Sequence, residues 1–144
     1  SKVLYKKEKM KLKEKYFGKF MVNFKVVLKD FVASDKYKNY LLKITNDLNE
    51  DLNHVIGAYE NLTIYLNDQD NIKYKEFIKK EIENKHPGIN VIFTTVNSII
   101  GGVILECSEK DFKIDFTINA VLEENESLIM QTLFEALEAG EKID

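Results

Sequence analysis

The chain has 144 residues, 44% of them apolar and 31% charged, with one proline and six glycines; that is about one domain's worth, and it leaves little room for a disordered linker. No run of about 18 or more apolar residues occurs, which excludes a membrane-spanning helix. The net charge of −3 divides into +8 over residues 1–38 (12 Lys against 4 acids) and −11 over residues 39–144 (9 Lys against 20 acids), and the lack of any arginine argues against bidentate recognition of bases and phosphates.

Val3, Met10, Phe17, Phe24 and Phe31 lie seven apart without a break. Such a ladder places them on one stripe of a helix. The companion positions Lys6, Lys13, Phe20 and Val27 leave the stripe thin up to about residue 15. From Tyr16 it widens, with Phe17, Phe20, Met21, Phe24, Val27, Leu28 and Phe31 on a broad face. The pattern predicts one long helix with two environments: a first half solvated or paired with one slender partner, and a second half packed against a core. The chain opens on Ser1 and so reads as a fragment. Its lysine-rich start lacks the apolar core of a signal peptide.

Ser34 or Asp35 is placed to cap a second helix. Tyr37, Tyr40, Leu41, Ile44, Leu48, Leu52, Val55 and Ile56 repeat there at helical spacing, and Gly57 marks its end. Leu62, Ile64 and Leu66 alternate with Thr63 and Tyr65 as a strand. Residues 67–71 form a turn and cap, followed by a short helix with Ile72, Phe77, Ile78 and Ile82 inward. His86, Pro87 and Gly88 stop it. Residues 89–96 are a β-branched strand, 103–107 a third strand, 108–111 a hairpin loop, and Phe112, Ile114 and Phe116 mark a fourth strand. Thr117 is placed to cap a final helix, with Ile118, Val121, Leu122, Ile129, Leu133 and Leu137 on its buried face. The order α-α-β-α-β-β-β-α predicts an α+β fold with a small four-stranded sheet.

Catalytic chemistry is scarce. His54 and His86 stand 32 residues apart, and no histidine or cysteine lies at zinc-ligand spacing from either. Cys107 sits in an apolar strand and reads as a buried, inert thiol. A single cysteine forms no internal disulfide and fits a reducing compartment. Gly101-Gly102 is no phosphate loop, because an apolar strand follows instead of a lysine and a Ser/Thr entering a helix. Asp68 and Asp70 resemble the start of a calcium loop, but Lys73 and Lys79 stand where its glycine and glutamate belong. Asn61 and Asn125 begin glycosylation sequons that read as chance matches. No metal, cofactor or catalytic pair is expected.

The segment 99–106 (Ile-Ile-Gly-Gly-Val-Ile-Leu-Glu) leads through a polar hairpin to Lys113-Ile114-Asp115-Phe116-Thr117-Ile118. This resembles the C-terminal signature of the E-type peripheral-stalk subunits of V-type ATPases: a Gly-Gly opening an apolar strand, a hairpin, an Ile-Asp strand end followed by Thr or Ser, and a helix with a leucine a few residues on. Gly101, Gly102, Asp115, Thr117 and Leu122 occupy those places, and Leu133-Phe134 is similar to the Leu-Phe near the family's end. The usual Asp-Gly hairpin is replaced by Glu109-Lys110-Asp111-Phe112. The match is specific over 99–122 and looser from about residue 16 onward.

The resemblance implies a non-catalytic stator part of a rotary ATPase that couples ATP to proton or sodium transport. It implies a coiled-coil heterodimer with a helical stalk protein of the G or H type, and a head domain that grips the catalytic head. The expected division is 1–15 as the stump of the peripheral-stalk helix and 16–144 as the globular head. The expected place is cytoplasmic, peripheral to a membrane-bound complex. Two other readings are an F-type delta-like stator subunit, with its own Gly-Gly strand, and a nucleic-acid module using the lysine-rich arm.

Overall fold

The computed structural model describes residues 2–55 and 60–143, with side chains to residue 140. Its elements are α1 (Lys2–Val32), α2 (Lys36–Asn53), β1 (Asn61–Leu66), α3 (Asp68–Lys85), β2 (Asn90–Thr95), β3 (Gly102–Cys107), β4 (Phe112–Thr117), α4 (Ile118–Glu124) and α5 (Glu126–Ile143). The expected α+β class and element order are borne out, with the final helix divided at Asn125 into α4 and α5. The chain forms two compact units, Phe31–Val121 and the pair of segments Ser1–Asp30 and Leu122–Asp144.

The unit Phe31–Val121 holds the sheet, in the order β2-β1-β3-β4. β1 and β2 are parallel, as a crossover through α3 requires, and the other neighbours are antiparallel. Alternation along each strand sorts the two faces. Leu62, Ile64, Leu66, Val103, Leu105 and Cys107 are buried on one face, and β4 adds Phe112, Ile114 and Phe116 in register with β3. Leu48 and Leu52 from α2 and Ile78 and Ile82 from α3 complete this core. Each fully buried Leu or Ile contributes about 1.5–3 kcal/mol. The opposite face carries Thr63, Tyr65, Ile92, Thr94, Ile104, Glu106, Lys113 and Asp115, none of them buried.

Several local expectations are corrected. Neither Ser34 nor Asp35 caps α2 through its side chain. Asp35 already has helical dihedrals, and the Ser34 hydroxyl turns back to donate to the Phe31 carbonyl at 2.6 Å. Ile72 is 83% exposed, because the inward face of α3 is set by Asp70, Phe77, Ile78 and Ile82 and Ile72 lies nearly opposite Asp70 on the helix. Val27 and Val121 are exposed as well. Ile56 and Gly57, expected at the end of the second helix, lie outside the described residues.

The second unit is helical. Half-buried positions of α1 recur at Lys13, Phe17, Met21, Phe24 and Leu28, and those of α5 at Ile129, Met130, Leu133, Phe134, Leu137 and Glu138. Lys13 joins the two rows: its ammonium lies 2.9 Å from Glu138 and 5.0 Å from the Phe134 ring centroid. Phe20, two turns beyond Lys13, borders a groove with Leu128, Thr132 and Ala136, so the two helices run antiparallel. No residue of α1 is buried.

Candidate functional site

Four of the five signature residues meet at one end of the sheet. Gly102 opens β3 opposite Thr117, the last residue of β4. Its φ of +84° and the closeness of the Phe116 carbonyl leave no room for a Cβ, which would also meet Thr117 Cα at 2.8 Å. Gly101 is excluded from larger residues for a different reason. A Cβ there would lie 2.8 Å from the Tyr37 hydroxyl and about 3 Å from Val32 and Ile118 side-chain carbons. The two glycines therefore admit a tyrosine from α2 against the backbone.

Tyr37 is fully buried. Its hydroxyl donates to Asp70 Oδ2 at 2.5 Å and accepts the Gly102 N–H at 2.7 Å. Asp70 is 2% exposed and sits in the first turn of α3. There the helix N-terminus favours a carboxylate, and the Asp70 N–H donates to the Asn67 cap at 2.8 Å. Burial pushes the Asp70 carboxyl above its ordinary value, while the Tyr37 hydrogen bond and Lys73 pull it down. Burial also pushes the Tyr37 hydroxyl far up, with the Asp70 hydrogen bond acting the same way and the Gly102 hydrogen bond opposing. Tyr37 thus stays a neutral donor. Phe31, Tyr40 and Tyr74 pack around its ring with centroids 5.9–6.1 Å away.

Asp115 and Thr117 form the adjoining turn. Asp115 Oδ1 accepts from the Thr117 N–H at 2.9 Å and from its hydroxyl at 2.6 Å. The Thr117 oxygen in turn accepts the Ala120 N–H at 3.1 Å and so caps α4. Asn119 Oδ1 accepts the Ile100 N–H at 2.9 Å, and Asn67 donates to the Ile100 carbonyl at 3.2 Å. These hydrogen bonds run between members of the one cluster. The arrangement ties α2, α3, β3, β4 and α4 to one another. Among the described residues, no group of three His, Cys, Asp or Glu side chains could hold a metal, and no helix is long and apolar enough to cross a membrane.

Leu122 is half-buried and belongs to the helical unit. Along the ladder of α1, Val3 and Met10 are exposed while Phe17, Phe24 and Phe31 are half-buried. Phe31 packs edge-on against Tyr37 and Tyr40. Sequence reasoning missed the partnership of Tyr37 with Asp70. Tyr37 counts there only as an apolar position, and Asp70 only as part of a turn and cap and of a failed calcium loop. The available signal was the glycine pair itself, which needs some bulky group to come close.

A second apolar surface lies in the helical unit. At ~100° per residue, Tyr5, Leu12, Tyr16, Phe20 and Val27 share one side of α1, and all five are exposed. They run into a groove of about 420 Å³ lined by Phe20, Leu128, Ile129, Thr132, Leu133 and Ala136. By the same spacing Lys2, Lys9 and Lys19 lie on or beside this side, within a segment, residues 2–29, that carries ten lysines and two glutamates.

Compared with known proteins, the chain matches no family model. It is 27% identical over 118 residues to the second E-type subunit of the V-type ATP synthase of Clostridium tetani, a match that takes in 80% of this chain. The chain spans about half (53%) of that relative's length. The resemblance to the E-type subunits of V-type ATPases, first visible in residues 99–122, is thus borne out by a relative of that name.

Proposed function

We propose that the chain is a non-catalytic stator part of a V-type rotary ATPase, working in the cytoplasm at the periphery of a membrane-bound complex and supporting ion transport coupled to ATP. The observation that carries this reading is the match to an E-type subunit of a V-type ATP synthase across most of the chain. The site geometry supports it. The signature residues Gly101, Gly102, Asp115 and Thr117 build a rigid joint and not a reaction centre, which suits a part that carries load. Residues 1–15, whose stripe residues Val3 and Met10 are exposed, act as part of the stalk helix, and 16–144 as the head that grips the catalytic subunits.

The helical stalk partner of G or H type docks on the side of α1 that bears Tyr5, Leu12, Tyr16, Phe20 and Val27. Apolar residues at helical spacing suit a partner helix, and the surrounding lysines favour an acidic one. The test is a titration of the folded full chain with the purified helical partner and with the catalytic head. Saturable binding of the helical partner, weakened at least tenfold by Phe20→Asp with the thermal unfolding of the sheet unit unchanged, supports the proposal. No binding to either partner overturns it.

A further inference from the structure

The sheet ends in two unlike edges. β4, at one edge, carries Lys113 and Asp115, charges of the kind that discourage strand pairing. β2, at the other, reads Asn-Val-Ile-Phe-Thr-Thr and has neither charge nor proline. Its polarity follows from the ladder. The Asn90 N–H donates to the Glu60 carbonyl and the Val96 N–H to the Leu66 carbonyl, so in this parallel pairing the even-numbered residues 90–96 face β1. Val91, Phe93 and Thr95 therefore turn their N–H and C=O groups outward, and no described backbone group takes them. Unpaired main-chain groups on a β-branched edge are a template for another strand. Ile92 adds an apolar side chain 47% exposed on the open face.

The charge beside this edge narrows the occupant. Lys75 of α3 stands 5.8 Å from the ring centroid of Phe93, over the middle of β2. Two copies of the chain paired about Phe93 would bring two such ammonium groups together, which is unfavourable. A strand from another protein with a carboxylate at that level would meet Lys75 instead. We propose that β2 is a docking edge for an extended segment of a partner chain, with β-branched apolar residues at alternate positions and an acidic residue placed to meet Lys75. The inference stands on sheet geometry and is independent of the stator reading.

The test uses the full chain, isotopically labelled, and the peptide acetyl-Thr-Val-Glu-Val-Thr-Val-amide. Expected are saturable shifts concentrated at residues 91–95 and slowed amide exchange at Val91, Phe93 and Thr95. Thr95→Pro removes one outward N–H, leaves the bonds to β1 intact and changes an exposed side chain; it should weaken binding at least tenfold. Replacing the peptide's glutamate by lysine should weaken it severalfold. Shifts centred on β4, no saturable binding, or an unchanged affinity in Thr95→Pro would overturn the proposal. So would a concentration-dependent dimer of the peptide-free chain that Ile92→Lys abolishes, because the edge would then serve self-pairing.

Discussion

Gly102 combines a left-handed φ with a backbone neighbour that cannot move aside, so Gly102→Ala meets both strain and a clash. The expected loss is about 2–4 kcal/mol, readable as a lower midpoint in urea unfolding. Tyr37→Phe keeps the ring packing but strands the Gly102 N–H and the Asp70 carboxyl, a loss of about 1–3 kcal/mol. Asp70 gives a pH test. Its folded-state pKa is raised by burial above the ordinary 3.8, so the folded chain holds that proton more tightly than the unfolded one. The corresponding stability is present in acid and is lost as pH rises through the folded value. Asp70→Asn cannot lose it. The Tm of the wild type, measured relative to this variant, should therefore fall progressively as pH rises from about 4. A difference that grows in the wild type's favour over that range would contradict the burial argument.

Elements announced by local chemistry were legible. The Asn67 cap, the stop at residues 86–88 and the alternation of Phe112, Ile114 and Phe116 depend on neighbours in sequence. What escaped depends on tertiary partners. Ile72 obeys the helical period, yet the buried position in the first turn of α3 belongs to Asp70, since Tyr37 waits there to donate to it. Val27 sits beside the half-buried row of α1 but on the side that α5 leaves open. The joint was legible as Gly-Gly, Asp115 and Thr117, and illegible as Tyr37 and Asp70, because Tyr37 lies 33 residues from Asp70 and 65 from Gly102 along the chain. The cap of α4 offers a test at this scale. Thr117→Ala should cost about 1 kcal/mol by freeing the Ala120 N–H, and Thr117→Ser should restore most of it in denaturant titrations.

Across the whole molecule, burial is uneven. Every fully buried side chain among the described residues lies between Tyr37 and Ile118, whereas α1 has none. Helices without a buried face are marginal in water. Native-state hydrogen exchange should show α1 and α5 opening well before β1 and β3. Equal protection in both units would refute this uneven distribution. The contact of the Tyr37 hydroxyl with Gly102 spans 65 residues of chain, whereas the β3–β4 hairpin closes over a short turn. Loop closure of that length is slow to be rewarded, so the hairpin should form early and the tyrosine should seat late. Substitutions at Tyr37 should then leave the refolding rate nearly unchanged and speed unfolding instead. The same bond that fixes the joint in the native state would in this way act as its latch, setting how long the sheet unit stays folded once unfolding conditions are imposed.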